Sequence, residues 1–221
     1  ELQAQLFFLE GAIPGQKAHY EAPDLGGDGG ASESWWIERQ EIETPGEPTK
    51  GKKQYIFKPS SREAAVMAGL PVGSGAPREV LAKRLDELMA GAGFDIGVSP
   101  TTLANIDASH LATMDPGDGS MMGSMQQLAP ADGALADKTD DFAAFSENID
   151  KKSFDDVAVF DMIFANLDRH AKNMLYKTDP DTGKNYLVPI DHGSALPDPE
   201  ALYASRSSIG AGVNIMAHGE M

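Results

Sequence analysis

No cysteine occurs in the 221 residues. Disulfides, thiolate-bound zinc and a cysteine nucleophile are excluded together. Basic residues are scarce: 18 Lys and Arg face 34 Asp and Glu, a formal charge of −16. Such a surface repels nucleic-acid phosphate and anionic lipid, so no nucleic-acid partner is expected. There is no apolar run of about eighteen residues, the length a membrane-spanning helix needs. The start of the chain also lacks the basic stretch and apolar run of a signal peptide. It opens on Glu1 rather than Met, which points to a piece of a longer protein. What is present is a hydrophobic content of 41%, enough for one medium domain or two small lobes around a cleft.

The residues that carry chemistry gather late in the chain. Asn166-Leu167-Asp168-Arg169-His170-Ala171-Lys172-Asn173 is followed by Ile190-Asp191-His192-Gly193. Asp168 and Asn173 stand at the interval that separates the catalytic Asp from the metal-binding Asn in kinase loops, and a second acidic residue arrives one hairpin later. Two carboxylates and an amide on this spacing can position a hydroxyl and hold Mg²⁺ against a triphosphate. Met174–Tyr176 and Tyr186–Val188 read as strands joined by a turn at Asp179-Pro180-Asp181-Thr182-Gly183. That hairpin sets Asn173 at its start and Asp191 at its end. Ahead of it, Ser153 and Asp156 suggest a capping box for a helix over 154–166. This helix is apolar nearly all round and is therefore expected to be buried. The competing reading makes Asp168, Arg169 and Asp191 a buried structural ion network.

The first half supplies candidates for phosphate binding. Residues 24–34 are glycine-rich and run into a strand at Trp35-Trp36-Ile37-Glu38-Arg39. Gly29 and Gly30 would let backbone amides approach phosphate, and Ser32 and Ser34 add hydroxyls; an ordinary loop has the same composition. Gln54–Pro59 reads as a strand with Ile56 and Lys58 on one face. Pro77 suits the first turn of a helix whose expected apolar stripe is Val80, Leu81, Leu85, Leu88 and Met89, stopped by Gly91 and Gly93. Glu79 on that helix is either a surface carboxylate or the partner of Lys58, and the strand-then-helix order fits the second. Residues 121–130 read as a further strand, and 131–141 as a connector.

Five segments in this order resemble the phosphatidylinositol 3-/4-kinase-like superfamily, most closely its type II phosphatidylinositol 4-kinase-like branch with plant gamma-type and bacterial relatives. They are Tyr55-Ile56-Phe57-Lys58-Pro59, Gly75-Ala76-Pro77-Arg78-Glu79-Val80, Gly123-Ser124-Met125-Gln126, the Asn166–Asn173 stretch, and Val188-Pro189-Ile190-Asp191-His192-Gly193. The resemblance implies an α+β, bilobal protein-kinase-like fold. A β-rich N-lobe would cover 1–126, and a hinge with a reduced helical C-lobe 127–221. It implies that Lys58 binds ATP phosphates and pairs with Glu79, and that residues 29–35 cover the phosphates. Gln127, Leu128 and Ala129 would hydrogen-bond adenine through their backbone. Asp168 would orient or deprotonate the acceptor hydroxyl, His170 would assist either the γ-phosphate or that base, and Asn173 and Asp191 would hold Mg²⁺, for which Mn²⁺ can substitute.

The expected activity is transfer of the γ-phosphate to protein Ser or Thr, the chain's own included. Phosphorylation of phosphatidylinositol is the alternative; a nucleotide-binding pseudokinase, or a transferase of another group, is a third. Protein is favoured as acceptor by the acidic surface and by the lack of a basic, aromatic-rich segment after Gly193. The short remainder of the chain suggests an accessory partner that completes the second lobe. The expected location is cytoplasmic or soluble, with secretion as a bacterial effector into a host cell as a variant.

Overall fold

Alternation along the strand Lys53–Pro59 (β2) organises the first sheet: Tyr55, Phe57 and Pro59 point to one side, Ile56 and Lys58 to the other. The computed structural model describes residues 34–39, 53–63, 70–107 and 119–198. In it β2 pairs antiparallel with Trp35–Arg39 (β1) and with Ser120–Gln127 (β4), and β4 pairs with Thr101–Asp107 (β3), giving the order β1-β2-β4-β3. The register sets Phe57 against Trp35 on one side and Met125 on the other, with Ala104 opposite Gly123. Trp35, Phe57, Ala104, Met121 and Met125 form the core of this sheet, with Tyr55 and Ile106 packed against it. The buried methionines Met121 and Met125 are gap-fillers.

Gly123 faces Pro59 across the β2–β4 ladder. A Cβ there would run into the Lys58 carbonyl and the Pro59 Cα, which are backbone atoms and cannot swing aside. Gly123→Ala is therefore expected to destabilise this sheet by about 1–3 kcal/mol, the usual cost of overpacking. A urea midpoint equal to the wild type would contradict that.

The helix Gly75–Ala90 (α1) follows as expected, and the turn after it is closed by Phe94 N–H on the Met89 carbonyl, with Gly93 at φ +89°. Its buried face differs from the expected stripe. Ala76, Glu79, Ala82, Asp86 and Met89 are buried, whereas Leu81 and Leu88 are exposed. The period of 3.6 is kept, and Met89 and Leu85 of the expected stripe do pack in or against the core, but two carboxylates hold core positions in place of Leu81 and Leu88.

The chain forms two compact units. Among the described residues the first holds β1, β2, 72–80, β3 and β4 through 128, and the second holds 70–71, 81–99 and 129–198. Residues 81–99 thus belong to the second unit although they precede 127.

The second unit is built on Lys151–Phe164 (α3), preceded by the short helix Phe142–Glu147 (α2). Gly133–Ala134 (β5), Met174–Thr178 (β6) and Asn185–Pro189 (β7) form its own antiparallel sheet, so this unit is not purely helical, and the segment expected as a connector contributes a strand. Val157, Phe160 and Phe164 pack with Met174, Leu187, Ile96 and Val98. The fold is α+β.

Two expectations for α3 change. The helix begins a turn earlier than the capping box predicts: Asp150 is the N-cap and accepts from Ser153 N–H at 2.9 Å. The Ser153 hydroxyl instead accepts from Leu187 N–H of β7, and Asp156 accepts from Asp95 N–H. Nor is α3 buried all round, since Met162 and Ile163 are 78% and 55% exposed.

Candidate active site

The loop after α3 is shaped by backbone reversal and two side chains. Ala165 takes a left-handed conformation at φ +50° and returns its N–H to the Asp161 carbonyl. Asn166 then uses both ends of its amide: Nδ2 donates to the Asp191 carbonyl at 3.1 Å and Oδ1 accepts from the Asp168 N–H at 3.0 Å. One side chain therefore ties the start of the loop to the residue beyond β7. Asp191 is itself left-handed at φ +55°, a conformation that short polar side chains tolerate best among non-glycine residues.

Arg169 is the second organiser. Its Nε and Nη2 donate to the two carboxylate oxygens of Asp161 at 2.8 and 3.1 Å. Nη1 donates to the carbonyls of Asn173 and Ile190 at 2.6 and 2.7 Å, and Nη2 also donates to His192 Nδ1 at 3.2 Å. All five N–H groups of a guanidinium are thus placed. An arginine only donates and a carbonyl only accepts. His192 is therefore the neutral tautomer that accepts at Nδ1 and donates from Nε2 to the Pro189 carbonyl. Burial, with the adjacent guanidinium, pushes its pKa down to about 3. Its ring packs edge-on to Phe160 and Phe164. The ion-network reading is corrected here, since the carboxylate that pairs with Arg169 is Asp161 rather than Asp168 or Asp191.

Asp168, Asn173 and Asp191 are joined through these contacts. Asn173 is buried, and its Nδ2 donates to the Asp168 carbonyl at 3.0 Å. Ile190 N–H bonds to the Asn173 carbonyl, extending the β6–β7 ladder up to Asp191. The Asp168 carboxylate is partly exposed. Burial is the main cause that raises its pKa above the usual carboxylate range; the Asp191 charge adds to it, while His170, Arg169 and Asn173 oppose. His170 lies on the exposed side, its Nε2 3.8 Å from Asp168 Oδ1, while its Nδ1 accepts from Lys172 N–H.

In the first unit, Lys58 Nζ meets Glu79 Oε1 at 2.9 Å. Glu79 is 2% exposed, and its other oxygen is buried without a hydrogen-bond partner among the described residues. A carboxylate so placed needs its cation. The surface reading of Glu79 is thereby excluded. Ser34 lies just before β1 and is half-buried; Gly29, Gly30 and Ser32 lie outside the described residues. Gln127 N–H and Leu128 N–H are committed to the carbonyls of Pro100 and Gln54 at 2.9 and 2.8 Å. Of their backbone groups, these two N–H groups are thus already engaged. Ala129 begins the second unit's part of the chain.

The donors suit a hard cation. Asp191 offers a carboxylate and Asn173 an amide oxygen, its Nδ2 being engaged. Among the described residues no three His, Asp or Glu side chains form a metal-holding group. Mg²⁺ does not need one, because it takes one or two carboxylates and completes its shell with water and substrate phosphate.

From the sequence alone Asp161 has no role, and Asn166 and His192 are named only as members of the motif stretches. The left-handed Asp191 gives no sequence signal. Asp161 has one: a carboxylate on an otherwise apolar helix face.

A strand lysine paired to a helix glutamate, and an Asp–Asn loop followed by a hairpin and a further Asp, are parts that recur in kinases. Residues 41–206, about three quarters of the chain, match the family model "Phosphatidylinositol 3- and 4-kinase", and the chain belongs to that family. It is 36% identical over 139 residues to phosphatidylinositol 4-kinase gamma 4 of Arabidopsis thaliana, covering 59% of this chain and 23% of that protein. It is 35% identical over 155 residues to gamma 2 of the same plant (63% and 26%), and 37% identical over 139 residues to gamma 4 of Oryza sativa subsp. japonica (59% and 22%). The chain thus spans about a quarter of these relatives' length. Among solved structures, the Helicobacter pylori proinflammatory kinase CtkA aligns at TM-score 0.45 and 16% identity, over 87% of this chain and 65% of that one. No helix among the described residues is long and apolar enough to cross a membrane.

Proposed function

We propose that the chain is an ATP- and Mg²⁺-dependent kinase that transfers the γ-phosphate to a protein Ser or Thr hydroxyl. The observation that carries this reading is the bonding that joins Asp168 and Asn173 of one loop to Asp191 beyond the hairpin, with burial raising the pKa of the Asp168 carboxyl. In this reading Asp168 accepts the proton of the acceptor hydroxyl as its oxygen bonds to the γ-phosphorus, and the bond to the bridging oxygen breaks to release ADP. His170 Nε2 lies on the same side and orients the carboxylate. Asn173 and Asp191 hold Mg²⁺, which when bound neutralises phosphate charge. Lys58, fixed by Glu79, takes the phosphates. Catalysis here is positioning and charge neutralisation.

The net charge of −16 favours a protein acceptor over an anionic membrane. A second reading, phosphorylation of phosphatidylinositol, is favoured by the names of the plant relatives. The two separate in one assay. The protein is incubated with γ-labelled ATP and Mg²⁺, either with lysate proteins or with phosphatidylinositol liposomes, and Asp191→Ala serves as control. Label on Ser or Thr that the control lacks supports the first reading. Label confined to lipid replaces it with the second. Label in neither, with no rise in melting temperature on adding ATP and Mg²⁺, overturns both in favour of a non-enzymatic module; a transferred AMP or other group, seen by mass, points to a different transferase.

A further inference from the structure

Resting on the kinase reading, we propose that Asp161, outside the motif stretch, is a positioning residue that acts through Arg169 to set the backbone of Asn173 and Asp191. The geometry supports a directed role. The Arg169 Nη1 group sits between the carbonyls of Asn173 and Ile190, at 2.6 and 2.7 Å. One belongs to a residue assigned to Mg²⁺, and the other immediately precedes the second such residue. These carbonyls lie at the open end of the β6–β7 ladder, whose last rung is Ile190 N–H to the Asn173 carbonyl. Among the described residues the β6–β7 pairing ends there, and Asp191 turns left-handed. The guanidinium takes over as the next rung.

A guanidinium can do this only if its plane is fixed. Asp161 fixes it with a two-point contact, and both side chains are well shielded, at 7% exposure for Arg169 and 15% for Asp161. His192 Nδ1 supplies a further acceptor, and the Phe160 and Phe164 rings hold His192 in turn. Asp161 lies on α3, whose inner face is packed in the core, so the fork couples the ladder end to a packed helix. A lysine in place of Arg169 would keep the charge but not the plane or the simultaneous contacts.

Two variants of the full chain, Asp161→Asn and Arg169→Lys, test this against wild type in two measurements. Amide hydrogen exchange by NMR reads the ladder end. Ile190 protection should fall at least tenfold in both variants while Val157 and Phe160 keep theirs. Titration with Mn²⁺ at fixed ATP, followed by paramagnetic broadening, reads the donors. The concentration for half effect should rise about 10- to 100-fold, as for other supports of metal ligands. Equal loss of protection along α3 would mean that Asp161 only stabilises the helix, and unchanged protection or unchanged Mn²⁺ dependence would overturn the proposal. If wild type itself shows no Mn²⁺–ATP effect, the kinase reading fails. The exchange data then decide by themselves whether Asp161 sets this backbone.

Discussion

Asp168→Asn is expected to fold like the wild type and to lose about 10²- to 10⁴-fold in kcat, the contribution of a general base. The reason it should fold lies in which atoms hold the loop. Asn166 accepts from the Asp168 backbone N–H and Asn173 donates to its backbone carbonyl, so both anchors survive the substitution. The carboxylate is partly desolvated and stands near Asp191, which is why its pKa is raised. Replacing it with a neutral amide of the same shape relieves that penalty, so stability should hold or rise slightly. Asparagine cannot take the acceptor's proton. Steady-state kinetics at saturating ATP and Mg²⁺, on an acceptor found in the labelling assay, should show the fall in kcat with the KM for ATP unchanged. A kcat within threefold of wild type would remove Asp168 from the mechanism.

Phe160→Ala should cost about 3–5 kcal/mol, the range for deleting a buried aromatic ring. Phe160 is 0% exposed in the core of the second unit, with Phe164 5.4 Å and His192 5.5 Å from its ring centre. Its removal opens a cavity and takes away one wall of the His192 pocket. Measured against a typical stability of about 5–15 kcal/mol, the loss is a large share. Met162→Ala is the matched control: it lies two residues along the same helix, is 78% exposed, and should change stability by no more than about 0.5 kcal/mol. Urea unfolding of both variants checks this, and a Phe160→Ala loss below 1 kcal/mol would show that the core closes over the gap.

The helix that carries Phe160 shows how local signals mislead. Ser153 and Asp156 have the spacing of a capping box, yet both side chains reach out to neighbouring segments, and Asp150 caps the helix. Spacing reports which partners are available. It does not report that Leu187 N–H or Asp95 N–H will compete for them. The same holds for α1, where Glu79 and Asp86 occupy buried positions and Leu81 and Leu88 face outward. A carboxylate enters a core only when a cation or donor meets it there: Lys83 meets Asp86 from three residues away on the same helix, whereas the Lys58 that meets Glu79 comes from another segment of the fold.

What the sequence determined by itself is the set of chemical groups and their order: Lys58 on a strand, Glu79 on the next helix, and the Asp168–Asn173 interval with Asp191 one hairpin later. These were legible because each rests on short-range periodicity or a tight turn, which the chain fixes locally. The −16 charge and the lack of cysteine were equally plain. Only the tertiary structure decided what holds those groups. Asn166 bridges to Asp191 across twenty-five residues, and the fork of Arg169 closes on Asp161, Ile190 and His192. Such bonds join segments that meet only after the helix and the hairpin have packed. No spacing along the chain encodes them, because their geometry is set by burial and by the need of every buried donor for an acceptor.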